Sequence, residues 1–204
     1  MTSMPIRDQV QDHLLTPKNA TLLIIDYQPV QVSSIRSMDH KLLVDNIVRV
    51  AKTGIAYGLP MVVSTVNVKT GMNKPMIPEL QAVLPGVEPL DRTTINAWED
   101  AEFNKAVKAT GRKKLIMAAL WTEACLSFPA LDAIREGYEV YPVVDAVGGT
   151  SVEAHRAALE RIVQAGGKPM SLPGLVCELQ RDWVRKETVQ LAVEIILSAY
   201  ASTP

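Results

Sequence analysis

The segment that most constrains this chain is residues 113–129, KKLIMAALWTEACLSFP. Two lysines precede six apolar residues, 115–120, a run with the length and continuity of a strand buried on both faces of a parallel sheet. Thr122 and Glu123 then open a helical pattern with Cys125 in its first turn. A thiol there feels the unpaired amides and positive dipole end of the helix, which favour thiolate and so make a nucleophile. The plain alternative is a small hydrophobe, the usual fate of a free cysteine. Position moves the reading. Open parallel sheets gather their ligands at the carboxyl ends of strands, and a carboxylate, Asp26, and a cation, Arg92, end two other predicted strands.

Residues 20–25, ATLLII, read as the first strand. Asp26 after it suits a solvated strand end or a helix cap. Because Tyr27, Gln28 and Pro29 lead into a loop, it also suits a carboxylate pointing into a pocket. Across 41–57 the positions Leu43, Ile47, Val50 and Gly54 recur at three and four, an amphipathic helix stopped by Gly58. A strand at 61–66 is followed by the loop 67–75, NVKTGMNKP, a pocket wall or lid. A short helix at 78–84, a strand at 87–90 and a polar loop from Asp91 to Trp98 come next; Arg92 by itself suits a solvated charge or a partner of Asp91. Helix 99–110, the cysteine segment to Glu136, strand 138–144, helix 151–165, strand 168–172 and helices 175–183 and 186–200 complete the order. The alternation predicts an α/β fold: a single-domain, doubly wound parallel sheet of about six strands with helices on both faces. Residues 1–19 read as an irregular arm, 20–185 as the domain, and 186–204 as a terminal helix packing on the domain or on another subunit.

A chain of 204 residues, 48% hydrophobic, holds one well-covered core. The formal charge of −1 and scattered basic residues suggest neither a nucleic-acid track nor an anionic-membrane surface. No apolar run reaches the roughly 20 residues of a membrane span. Cys125 and Cys177 lack metal spacing and sit in apolar settings, which fits a reducing compartment, the cytoplasm by default; the first twenty residues carry no export signal. No glycine-rich dinucleotide fingerprint or phosphate loop occurs, so no cofactor is expected. The expected partners are a small molecule and further copies of the chain. Asp145, followed by Ala146, Val147, Gly148 and Gly149, reads as the holder of a turn. His155 has no carboxylate or nucleophile close in sequence and reads as a hydrogen-bonded structural histidine. Cys177 takes the structural reading too.

Together, Asp26, Arg92 and Cys125 resemble the catalytic triad of the isochorismatase-like cysteine hydrolases. The stretches DRTTINAWED, GRKKLIMAALWTEACLSFPAL, GYEVYPVVDA and CELQRDW resemble the YcaC-like branch, over roughly residues 20–183. The resemblance implies a cofactor-free hydrolase that cleaves an amide, carbamoyl or related C–N bond through a Cys125 thioester. Asp26 would accept the thiol proton, and backbone amides would bind the oxyanion. It also implies a cis peptide between Leu120 and Trp121, the amides of Trp121 and Cys125 as oxyanion donors, and a homo-oligomer, an octamer in the YcaC-like branch. The chain departs from most of the superfamily at the cation, where Arg92 stands for lysine. Arginine stays protonated and presents a rigid fork, so it can hold Asp26 but cannot relay a proton. Where nicotinamidase-like relatives carry an Asp and His cluster, this chain has Ser64, Thr65, Val66, Asn67 and Val68, so no metal is expected. Asn96, Trp98 and Trp121 flank the presumed pocket and are candidates for binding substrate. Three other readings stay open: an isochorismatase, whose enol-ether cleavage does not need the cysteine; an oligomeric binding or assembly protein with a dormant site; and a redox-responsive thiol protein.

Overall fold

In the computed structural model, which describes residues 7–201, the strand β1 (Ala20–Ile25) has every residue buried. A strand covered on both faces has no place for an alternating pattern, which is why ATLLII is apolar almost throughout. It lies in the middle of a parallel sheet whose order is β3-β2-β1-β4-β5, with β2 at Met61–Val66, β3 at Leu90–Arg92, β4 at Lys114–Ala119 and β5 at Glu139–Pro142. Ala20 to Ile25 pair with Lys114 to Ala119 on one side, and Leu22 to Ile25 with Met61 to Ser64 on the other.

After the short α1 (Pro29–Ser34), the chain runs outward from β1 through α2 (His40–Ala56), β2, α3 (Pro78–Val83) and β3. It returns through α4 (Ala101–Ala109) to β4 on the other side of β1, then through α5 (Ser127–Arg135) to β5. The order reverses between β1 and β4, and such a reversal leaves a crevice at the carboxyl ends of the strands. Asp26 and the residues after Ala119 open directly into that region.

Among the described residues the sheet has five strands rather than about six. Residues 168–172 run beside β5, with Lys168 N–H donating to Val140 O and Met170 N–H to Pro142 O, yet only Met170 makes a bridge, to Val143. The segment ends there because Ser171 caps the next helix, α7 (Leu172–Gln180), accepting from Gly174 N–H. The third strand also begins later than 87–90: Pro89 has no N–H to give a ladder, so pairing starts at Leu90 opposite Ser64 and Arg92 lies on the strand itself.

α6 (Val152–Gln164) starts at the Ser151 cap. α8 (Val189–Ala201) starts later than residue 186, after turns through residues 182–188, and packs on α7, burying Ala192 and Ile195. Of the amino-terminal arm, residues 7–19 are irregular but anchored: Leu15 is buried, and the Lys114 ammonium donates to the carbonyls of Asp12, His13 and Leu14 at 2.7, 2.6 and 3.2 Å. Residues 1–6 of the arm and 202–204 of the terminal segment lie outside the described residues.

Candidate active site

Asp26 follows β1 in the left-handed region, φ 63°, which aspartate tolerates better than most side chains. Its N–H donates to Ser64 O, tying it to β2, and its carbonyl accepts Gln28 N–H. The turn aims a fully buried carboxylate at Arg92, the last residue of β3. Arg92 Nη1 and Nη2 donate to Asp26 Oδ1 and Oδ2, both at 2.7 Å, a two-pronged pair with both side chains sealed from solvent. The fork reaches further, to Ser64 Oγ and Thr65 O through Nη1 and to Ile95 O through Nη2. Burial disfavours the guanidinium charge, but the hydrogen bonds and charge of Asp26 outweigh it and hold the Arg92 pKa above the ordinary arginine value. Arg92 is therefore a fixed cation, not a partner of Asp91. The Asp91 carboxylate instead accepts from Thr65 Oγ1 and from the amides of Val68 and Lys69.

The cysteine arrives from the third direction. β4 ends at Ala119, Leu120 bridges to Gly148, and the Leu120–Trp121 peptide is cis. Instead of an α-helix, Thr122–Leu126 forms a π-helical turn in which Leu126 N–H reaches back to Trp121 O, and only then does α5 begin. Cys125 lies in this turn with 7% of its surface exposed. Asp26 and the Trp121 amide both lie close enough to act on its thiol, the first raising its pKa and the second lowering it.

The expected thiolate is not the resting form. Burial, then the charge and hydrogen bond of Asp26, push the Cys125 thiol up to about 12, and Arg92 and the Trp121 amide offset only part of that. The dipole of one short turn is worth too little against desolvation and a neighbouring carboxylate. Such an arrangement stores the proton on sulfur and keeps an acceptor beside it.

The three flanking residues part company. Trp121 is half-buried, with its indole N–H donating to Ser34 Oγ at 2.6 Å, and stays beside the cysteine turn. Asn96 does not present its carboxamide to the site. Its Oδ1 caps Trp98 N–H and its Nδ2 donates to Asp132 and Glu99, so the group is consumed in fixing the Ala97–Glu99 turn. Trp98 is directed away from the sulfur, donating to Glu136 beyond the far end of α5 and meeting Tyr138 edge-on at 5.4 Å.

The chain also uses residues that sequence reasoning passed over. Gln28 is fully buried and clasps the loop after β2: Nε2 donates to Val66 O and Lys74 O, and Oε1 accepts Val66 N–H. With Asp91 on its other flank, the 67–75 loop is a pinned wall rather than a free lid. Asp145 holds main chain, but that of Leu172 at the start of α7 rather than its own turn, accepting Leu172 N–H with both oxygens. Cys177 is exposed rather than structural core. His155 is hydrogen-bonded, but to Thr122 of the cysteine turn, at 2.9 Å. A cavity of about 700 Å3 opens at the opposite, amino edge of the sheet, lined by Lys114, Glu139, Tyr141 and Lys168 among others, and includes none of Asp26, Arg92 and Cys125. Among the described residues no group of three or more His, Cys, Asp or Glu side chains could hold a metal ion, and no helix is long and apolar enough to cross a membrane.

The family model for the isochorismatase domain matches residues 20–173. The "Probable hydrolase YcaC" of Escherichia coli K12 is 39% identical over 170 residues, 83% of this chain and 81% of that protein. The structure of YcaC from Pseudomonas aeruginosa, solved with hexane-2,5-diol and covalent acrylamide, superposes with a TM-score of 0.86 at 34% identity, covering 93% of this chain and 94% of that one. That of the Escherichia coli YcaC gene product, an octameric hydrolase of unknown specificity, gives 0.83 at 34% identity over 94% and 98%.

Proposed function

The chain belongs to the isochorismatase family of hydrolases, and from that premise we propose that it is a cofactor-free cysteine hydrolase of a small amide, carbamoyl or related C–N compound. The observation that carries this reading is the convergence of a buried thiol, a buried carboxylate whose charge raises the pKa of that thiol, and a guanidinium that grips the carboxylate with two 2.7 Å bonds. Asp26 takes the Cys125 proton as sulfur attacks the carbonyl carbon. The developing oxyanion is met by the amides of Trp121 and Cys125. Asp26 then returns the proton to the departing nitrogen, leaving the thioester. In the second half Asp26 takes a proton from water, the resulting hydroxide attacks the thioester, and the proton returns to sulfur as the acid leaves. Arg92 moves no proton at any step; it orients the carboxylate and balances its charge.

Trp121 is the substrate-binding candidate that belongs to the cysteine turn, and its half-buried indole suits an apolar substrate portion. Asn96 and Trp98 take no part. By resemblance to octameric YcaC the working unit is a homo-oligomer.

Intact-mass spectrometry after incubation with a panel of amides, carbamates and nitriles tests the reading. The expected result is an adduct on Cys125 with at least one class, absent in Cys125→Ala, and loss of turnover in Asp26→Asn. No adduct across the panel, with binding retained in both variants, would favour a dormant site.

A further inference from the structure

The reading of Cys125 as the nucleophile says nothing of what holds its turn in place. On the side away from Asp26, Thr122 is fully buried, and among the described residues its hydroxyl makes one hydrogen bond, to His155 Nδ1 on α6 at 2.9 Å. Thr122 N–H is taken by Gly148 O. Glu123, next in the turn, accepts the Thr150 amide and hydroxyl with Oε1, while its Oε2 is buried with no hydrogen-bond partner. Gly149 lets these groups close up: a Cβ there would lie 2.8 Å from Glu123 Oε2 and 2.9 Å from His155 Cβ.

We propose that His155 is a positioning residue for the nucleophile: its neutral ring accepts the Thr122 hydroxyl proton and fixes the π-turn, so that acidification, by protonating the ring, slows reaction at Cys125. This rests on Cys125 being the reactive group. Protonation makes Nδ1 a donor and strands the buried Thr122 O–H without an acceptor. The unpartnered Glu123 Oε2 then draws the imidazolium off the threonine. Burial already pulls the His155 pKa below the ordinary histidine value, and the charge of Glu123 raises it back only in part. The folded site therefore binds this proton less readily than the unfolded chain does, and the arrangement present at neutral pH is lost as pH falls through the folded value. Other nearby charges do not compete: Arg156 pairs with Glu160 in solvent, Glu153 and Arg135 are exposed, and Asp132 on α5 is bonded to Asn96.

The test is the rate of iodoacetamide alkylation of Cys125, in a Cys177→Ser background, from about pH 5 to 8, the range over which imidazole exchanges its proton. His155→Asn retains a hydrogen-bonding group at the Nδ1 position without titrating, and His155→Leu removes it. The expected result is that the ratio of parent to His155→Asn rates falls at acid pH, while His155→Leu is slower at neutral pH by roughly two- to tenfold, the worth of one hydrogen bond. Thr122→Val repeats the His155→Leu loss in a second variant, and Thr122→Ser restores the rate. A flat ratio, or neutral-pH rates unchanged in both His155→Leu and Thr122→Val, overturns the proposal. Absence of alkylation at Cys125 in the parent would instead sink the nucleophile reading itself.

Discussion

A guanidinium gripped by both outer nitrogens cannot turn, and at Arg92 the grip comes from a carboxylate with no access to water. Replacing Arg92 with methionine leaves Asp26 buried and unpaired, for which a loss of about 3–5 kcal/mol in urea-unfolding stability is expected. Arg92→Lys keeps a charge but offers no planar fork, so it should lose less stability and leave Asp26 less firmly oriented. The sulfur is governed by the same acid. Because burial and then Asp26 push the Cys125 thiol up to about 12, Asp26→Asn removes a raising charge, and the thiolate should appear at lower pH. Ultraviolet absorbance of the thiolate against pH measures this. More thiolate with less turnover is the expected combination, since the proton acceptor is gone; an unmoved titration would show that the acid and the thiol do not interact.

Two elements hold these residues where they are. The 67–75 loop is stitched to the first strand's end by Gln28 and to the third strand by Asp91. Gln28→Leu abandons Val66 N–H and two carbonyls, an expected cost of about 1–3 kcal/mol, with faster amide hydrogen exchange confined to residues 66–75 as the local readout. The π-turn is held from outside by residues 148–150. Gly149→Ala drives a methyl group to within 2.9 Å of the His155 backbone nitrogen, so melting should fall by the equivalent of about 1–3 kcal/mol, and alkylation of Cys125 should slow.

For the whole molecule, the terminal helix is the part that looks unfinished. Val193 and Leu197, one turn apart on the same face, are 39% and 60% exposed, and Trp183 before the helix is 60% exposed. A face of that kind suits contact between copies, in line with the octameric relative. Light scattering should report a multiple of the chain mass, reduced in Leu197→Lys; an unchanged assembly in that variant would assign the contact to another surface.

The sequence alone determined the strands β1, β2 and β4, because a strand buried on both faces has to be a mostly apolar run, and it singled out Asp26, Arg92 and Cys125 as polar or reactive side chains at or after strand ends. Trp98 and Asn96 were misread because nearness along the chain to Arg92 does not say which way a side chain turns; Asn96 was drawn into a cap and Trp98 toward Tyr138. The sixth strand failed where a helix cap at Ser171 competed for the same residues. Tertiary structure decided the rest: Gln28 became a clasp, His155 met the hydroxyl of Thr122, 33 positions earlier in the chain, and the pKa of the Cys125 thiol was pushed up. Burial and the charge of a distant residue set these outcomes, and both arise only when separate strands are brought to one edge of the sheet.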